Sequence, residues 1–140
     1  MATTTTRKTL TFLLMDAPYE SANHTTAFRI LDVAARRGYN LNVFCYEGAA
    51  ALAFARQAQH PNAIHGRETA EENHPTTKDQ VTAILSEATR NGGAVDWVNC
   101  GLCVDERGVG EFVPNTRRGS PADFHKASEA SDNTLVIPTR

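Results

Sequence analysis

The chain has 140 residues, of which 41% are hydrophobic, and its 14 basic and 16 acidic residues give a formal net charge of −2. This length fits one domain whose core is large enough to be stable without disulfide bonds. The near balance of charge argues against a nucleic-acid-binding protein, which would carry a basic surface. No apolar run approaches the roughly 20 residues that a membrane span needs.

The first eight residues are polar and rich in threonine. They predict a disordered lead-in over 1–8, followed by a single domain over 9–140. Because this start lacks the apolar stretch of a secretory signal, we expect a cytoplasmic protein. Three cysteines, an odd number in such a chain, indicate reduced thiols rather than a disulfide framework.

Hydrophobic patterning then predicts alternating strands and helices. The predicted strands are 9–15, 41–45, 95–99 and 134–137, with a short extended stretch at 109–115. The predicted helices are 21–37, the alanine-rich 47–57, 78–91 and 121–131, the last with Ser120 as its N-cap. Between them, the polar segment 59–77 predicts a surface excursion.

This alternation predicts an α/β fold: a single three-layer α/β/α domain with a mostly parallel central sheet of about five strands. In such folds reactive groups gather beyond the carboxyl ends of the strands. Segment 16–19 follows the first predicted strand, segment 46–48 follows the second, and Cys100 and Cys103 follow the third. We therefore expect the functional site at this edge of the sheet.

Cys100 and Cys103 stand three residues apart where a strand should turn into a short helix. A helix start favours anions, so a thiol there ionises more readily, and the thiolate is the reactive form. We interpret Cys100 as a nucleophile and Cys103 as a helper or resolving thiol, with the N–H groups of Gly101 and Leu102 stabilising the anion. The alternative is that both are buried small hydrophobic residues.

Other candidate residues carry weaker signals. Cys45, inside the second predicted strand, is interpreted as a packing residue. Arg117 and Arg118, in the predicted loop before the last helix, fit either an anion or partner site or a solvated loop. His24 and His125 are within reach of a strand-end site but are interpreted as surface residues or caps. No second cysteine pair supports zinc, and no glycine-rich motif supports a nucleotide.

Three segments resemble the DsrE/TusD family of sulfur-carrier sulfurtransferases, within the DsrEFH superfamily. The proline–tyrosine loop 16–19 leads into a helix that ends at Arg37-Gly38. The aromatic segment 43–48 ends in tyrosine, glutamate and glycine. Cys100, with Gly108 eight residues later, is similar to the surroundings of the family's sulfur-accepting cysteine.

The resemblance implies that Cys100 carries a persulfide, without a cofactor, in sulfur oxidation or a tRNA-thiolation type of relay. Cys103 stands where a family member has a small residue, so its role, and which cysteine is primary, stay open. The resemblance also implies a trimeric or hexameric ring and TusA-like or TusE/DsrC-like carrier partners, which need the thiol near the surface. The alternatives are a dithiol–disulfide redox protein and a non-catalytic ring subunit.

Overall fold

The computed structural model describes residues 6–139 of the chain. Five strands form one sheet: β1 Thr9–Leu14, β2 Asn40–Cys45, β3 Val95–Cys100, β4 Thr116–Gly119 and β5 Asn133–Ile137. Their order across the sheet is β4-β3-β2-β1-β5, and the four pairings are all parallel. The predicted α/β class and parallel sheet are confirmed.

The helices are α1 Asn23–Arg36, a 3₁₀ helix Glu47–Ala51, α2 Thr69–Glu72, α3 Thr77–Arg90, α4 Gly101–Arg107 and α5 Pro121–Glu129. Helices α1 and α3 pack against each other on one face of the sheet, whereas α5 lies against β1 and β2 on the other. Helix α4 continues directly from β3 and contacts the 3₁₀ helix. The chain therefore forms the predicted three layers.

Alternation along the strands divides the core in two. Val43 and its partner Trp97 point into the larger core, beneath α1 and α3. The next pair along, Phe44 and Val98, points into a smaller core with residues of α4 and α5. Because successive side chains of a strand point to opposite faces, strands covered on both faces are apolar throughout.

Three local predictions after the second and third strands are wrong. The helix predicted over 47–57 is only the short 3₁₀ helix, because the N–H of Ala55 donates to the carbonyl of Glu111 at 2.7 Å and turns the chain away. The extended stretch predicted over 109–115 forms one isolated bridge, at Phe112. The additional strand is β4, which contains the two arginines that we had predicted to lie in a loop.

The start of the chain and the polar excursion are partly described. Residues 1–5 of the predicted lead-in lie outside the described residues. In the same segment, the Arg7 guanidinium donates hydrogen bonds to the carbonyls of Gly38 and Asn91. Segment 59–77 is largely exposed and contains the short helix α2.

The two histidines that we predicted at the surface differ. His125 is exposed, as predicted. His24 is only 6% exposed, and its ring packs edge-on against Tyr19 and Phe28 with ring centroids 5.8 and 6.0 Å away. Burial lowers the pKa of His24, and the negative charge of Asp16 opposes that shift in part.

Protonation of His24 should destabilise the fold. Since its folded-state pKa lies below the ordinary value of about 6.5, the unfolded chain binds the proton first as pH falls. The contribution of neutral His24 to the free energy of unfolding is complete above about pH 6.5. It is lost as the pH falls through the folded-state pKa. Urea unfolding of His24→Phe at about pH 5 and about pH 7.5 should therefore show a smaller acid-induced loss than the native protein. His125→Gln is the control, and an equal loss in His24→Phe contradicts the prediction.

Burial, rather than helix propensity, should decide the stability of α1. Leu31 is 0% exposed in the larger core, whereas Val33 on the same helix is 51% exposed. Leu31→Ala should lower the free energy of unfolding by about 2–5 kcal/mol, because it leaves a cavity. Val33→Ala should change it by less than about 1 kcal/mol. Urea denaturation measures both, and similar losses in the two variants contradict this account.

Candidate functional site

The predicted cysteine pair lies at the junction of β3 and α4. Cys100 is the last residue of β3 and the N-cap of α4, and Cys103 lies within the first turn of that helix. Parallel pairing sets Cys45, at the end of β2, opposite Asn99. The residues that follow β2 are therefore brought beside the start of α4, as the strand-end argument predicted.

Both thiols are buried within the smaller core. Cys100 is 2% exposed and Cys103 is 4% exposed, and they pack with Phe44 and Val98. The expectation of thiols exposed near the surface is therefore wrong for the single chain. Leu102, which lies between them in sequence, is 71% exposed. The pair is thus covered by one turn of helix rather than by a deep layer of protein.

A backbone donor that sequence reasoning missed contacts one of the sulfurs. The N–H of Glu47 donates to Sγ of Cys103 at 3.2 Å. Glu47 adopts φ = 51°, a left-handed conformation that is uncommon for residues other than glycine. The predicted donors were the N–H groups of Gly101 and Leu102, on the other side of the junction. The position of Glu47 directly after β2 was the available signal, because β2 neighbours β3.

The electrostatic setting of Cys103 opposes ionisation. Burial raises the pKa of this thiol to about 11, and its hydrogen bond to Cys100 acts in the same direction, while the N–H of Glu47 opposes both. The expectation of an easily ionised thiol is therefore wrong for Cys103.

The third cysteine plays no part in this cluster. Cys45 is 0% exposed and belongs to the larger core, on the opposite face of the sheet from Cys100. Burial raises its pKa, with the Trp97 side chain opposing the shift. The interpretation of Cys45 as a packing residue is confirmed.

Arg118 is the predicted arginine that the fold brings to the site. Its guanidinium makes a bidentate ion pair with Asp105 of α4 at 3.0 and 2.9 Å, and it donates to the carbonyl of Gly101 at 3.1 Å. A Cβ atom at residue 101 would lie 3.2 Å from this guanidinium, so glycine allows its close approach. Arg118 therefore ties β4 to the start of α4.

Arg117 is directed elsewhere. Its guanidinium binds both carboxylate oxygens of Asp96 at 2.8 Å and one oxygen of Asp123 at 2.9 Å. These two carboxylates raise the pKa of Arg117 and balance its charge. The structure thus brings Arg118, but not Arg117, to the cysteine pair.

A cleft opens beside the pair, beyond the ends of β1 and β2. It has a volume of about 680 Å³ and is lined by Asp16, Glu20, Glu47, Gly48 and Arg107, among others. Within this edge cleft, Arg107 and Glu47 form an ion pair at 2.7 Å. A Cβ atom on Gly48 would approach Ala17 to 2.8 Å, so glycine is needed where the two loops meet.

Tyr46 forms part of the wall around the thiols. Its ring stacks on Phe44 with centroids 6.2 Å apart. The negative charge of Glu47 raises the pKa of the phenol, and the charges of Cys103 and Cys100 add to that effect. Tyr46 is therefore close enough to respond to ionisation of the pair.

Within residues 6–139, no group of three or more His, Cys, Asp or Glu side chains is arranged to hold a metal ion. Over the same residues, none of the helices combines the length and the apolar character that crossing a membrane requires.

A family model and a solved structure both match this chain. A model of the DsrE/DsrF-like family matches residues 8–137. The crystal structure of the YchN protein from E. coli superimposes with a TM-score of 0.71 at 16% identity, over 92% of this chain and 98% of that one. At this identity the likeness supports the fold alone. No relative among curated proteins matches the sequence.

Removing Cys100 should make Cys103 easier to ionise. In Cys100→Ala the hydrogen bond and the charge of Cys100 are gone, and both raise the Cys103 pKa. The apparent pKa of Cys103 should then fall below about 11, the value in the intact pair. The measurement is the pH dependence of iodoacetamide alkylation at Cys103, followed by peptide mass spectrometry. An unchanged or higher apparent pKa contradicts the proposed contact.

Proposed function

The chain belongs to the DsrE/DsrF-like family, which is associated with sulfur transfer. We propose that it is a sulfurtransferase or sulfur carrier that accepts sulfane sulfur as a persulfide on Cys100 and passes it to a thiol of a partner protein. Membership of the family supports a role in sulfur relay, and the paired thiols at the start of α4 could carry the transferred sulfur. The proposed reaction needs no cofactor.

One observation carries the assignment of roles within the pair. Burial raises the pKa of Cys103 and keeps this thiol protonated, and the resemblance to the family puts the sulfur-accepting cysteine at Cys100. We therefore assign the nucleophile to Cys100 and a positioning role to Cys103. The N–H of Glu47 holds the Cys103 sulfur in place.

The proposed transfer is a simple exchange at sulfur. The Cys100 thiolate attacks the outer sulfur of a donor persulfide, and a bond forms between that sulfur and Sγ. The bond between the two donor sulfurs breaks, and the donor's inner sulfur leaves as a thiolate. An acceptor thiolate then attacks the outer sulfur on Cys100 and restores the Cys100 thiolate. The number of electrons is unchanged at each step, so no oxidant or reductant is required.

A dithiol–disulfide redox function is the second candidate, because the two thiols contact each other. In that case Cys103 would be as essential as Cys100, and oxidation would join them. The high pKa of Cys103 disfavours this role, since a resolving thiol has to ionise to attack. A Cys103→Ser variant that loses all transfer would favour the redox function.

The partners and the assembly stay predictions from the resemblance. We propose TusA-like or TusE/DsrC-like carrier proteins as donors or acceptors, a trimeric or hexameric ring of this chain, and a cytoplasmic location. Native mass spectrometry measures the ring directly. A non-catalytic ring subunit is the alternative, and it requires that neither thiol of the native protein reacts with alkylating reagents.

Persulfide loading tests the proposed function. After exposure to a low-molecular-weight persulfide, the intact protein should gain the mass of one sulfur atom, located on the peptide that contains Cys100. Cys100→Ser should not gain it on that peptide, because the nucleophile is absent and burial still raises the pKa of Cys103. Cys103→Ser should still load, because it keeps the Cys100 nucleophile.

Cys45→Ala is the matched control for cysteine removal. Cys45 lies in the other core, so its loss should leave loading as in the native protein. Loading that persists in Cys100→Ser would move the persulfide to another residue. Absence of loading in the native protein would overturn the proposed function.

A further inference from the structure

Helix α4 presents one mixed face to solvent. Leu102, Asp105 and Glu106 follow the i, i+3, i+4 spacing that places side chains on the same side of a helix. All three are well exposed: Leu102 to 71%, the Asp105 side chain to 64% and the Glu106 side chain to 71%. The opposite side of the helix buries Cys103 and Val104. This outer face of α4 therefore belongs to the same short helix whose inner side holds Cys103.

The charges around the thiols are unbalanced. Four carboxylates of the outer face of α4 and the edge cleft reach solvent, those of Glu20, Glu47, Asp105 and Glu106, whereas Asp16 lines the cleft but is only 5% exposed. Two guanidiniums, those of Arg107 and Arg118, lie among them. Both arginines are already engaged, with Glu47 at 2.7 Å and with Asp105 at 2.9 Å. With Glu106 also 3.7 Å from Arg107, four exposed carboxylates face two guanidiniums, so this surface is acidic overall, and Leu102, at 71% exposed, is a prominent apolar side chain on it.

We propose that the outer face of α4, together with the edge cleft, is the docking surface for a partner protein whose reactive thiol is surrounded by basic residues. The inference rests on the proposed function and identifies the chemistry of its partner. Leu102 would enter an apolar socket on the partner. The partner's Lys or Arg side chains would face Glu106 and the carboxylates of the edge cleft.

Burial of the thiols makes docking relevant to transfer. Cys100 and Cys103 are buried in the single chain, so transfer requires a sulfur donor that is brought close to the start of α4. Charge complementarity steers two proteins together and raises the rate of encounter, and the effect declines with salt. An apolar anchor at the centre of the contact adds affinity and orientation. An acidic surface would also disfavour partners of the same sign.

Matched peptides test the charge requirement. A basic hexapeptide, Ac-Ala-Lys-Lys-Cys-Lys-Lys-amide, and its counterpart with glutamate in place of lysine are each activated as a mixed disulfide with thionitrobenzoate. The Cys100 thiolate attacks the peptide sulfur, thionitrobenzoate leaves, and its absorbance gives the rate, while mass spectrometry locates the peptide. The basic peptide should react at least about tenfold faster at low ionic strength. The difference should shrink toward 1 M salt, where the screening length is about 3 Å.

Charge reversals on the protein provide the controls. Glu20→Lys and Glu106→Lys, singly and together, should reduce the preference for the basic peptide, because each removes a carboxylate from the docking surface. Glu129→Lys makes the same charge change on an exposed residue of α5 and should leave the preference unchanged. Equal rates for the two peptides, or an equal effect of Glu129→Lys, would overturn the proposal.

A second peptide pair tests the apolar anchor. Basic peptides that carry phenylalanine or serine next to the cysteine should differ, with the phenylalanine peptide reacting about threefold faster or more on the native protein. Leu102→Ala should abolish that advantage. Ile64→Ala removes an apolar side chain that is 91% exposed in the polar excursion, and it should have no effect. An advantage that survives in Leu102→Ala would remove Leu102 from the docking surface.

Two further outcomes separate this inference from its alternatives. Uncharged 2-hydroxyethyl disulfide and a low-molecular-weight persulfide report the intrinsic reactivity of Cys100. If both react at Cys100 while the peptides show no charge preference, the docking surface is wrong and the proposed function stands. If neither reacts, the proposed function fails. Native mass spectrometry of Leu102→Asp tests whether a second copy covers this face, and loss of an oligomer in that variant would overturn the assignment to a different protein.

Discussion

Parallel pairing of β2 with β3 is the constraint on which the geometry of the site depends. Because Cys45 and Asn99 are paired, the residues that follow each strand emerge side by side at one edge of the sheet. The turn after β2 therefore places the N–H of Glu47 against the Cys103 sulfur at 3.2 Å. A shift of one residue in this pairing would send the neighbouring side chains to opposite faces and separate the groups.

Burial and hydrogen bonding together assign different tasks to two chemically identical side chains. In an apolar core a thiol keeps its proton, and the helix start is not sufficient to reverse that effect for Cys103. Cys103 therefore stays protonated beside Cys100, in the same small core. The arginines do not supply a free positive charge to the pair, since carboxylates already balance them. Local donors, rather than a cationic pocket, are what this site offers to a sulfur anion.

The position of helix α4 links the reactive thiols to the proposed docking surface. One turn of helix separates the thiols from solvent, and its outer side carries a leucine and two carboxylates. Small molecules approach such a surface without selection by charge, whereas a protein has to match it. The proposed sulfur transfer and the proposed choice of a basic partner therefore both depend on helix α4. Its inner side holds the reactive sulfurs, and its outer side selects what approaches them.

The sequence by itself determined the α/β class, the parallel sheet, the packing role of Cys45 and the location of the cysteine pair at a helix start. These follow from hydrophobic periodicity and from the rule that parallel strands end at one edge, both of which are local or topological. Only the tertiary structure decided the burial of both thiols, the Glu47 donor, the strand that contains Arg117 and Arg118, and the different directions of those two side chains. Each of these depends on contacts between segments distant in the chain. The balance of desolvation and hydrogen bonding that results cannot be inferred from the spacing of residues along the sequence.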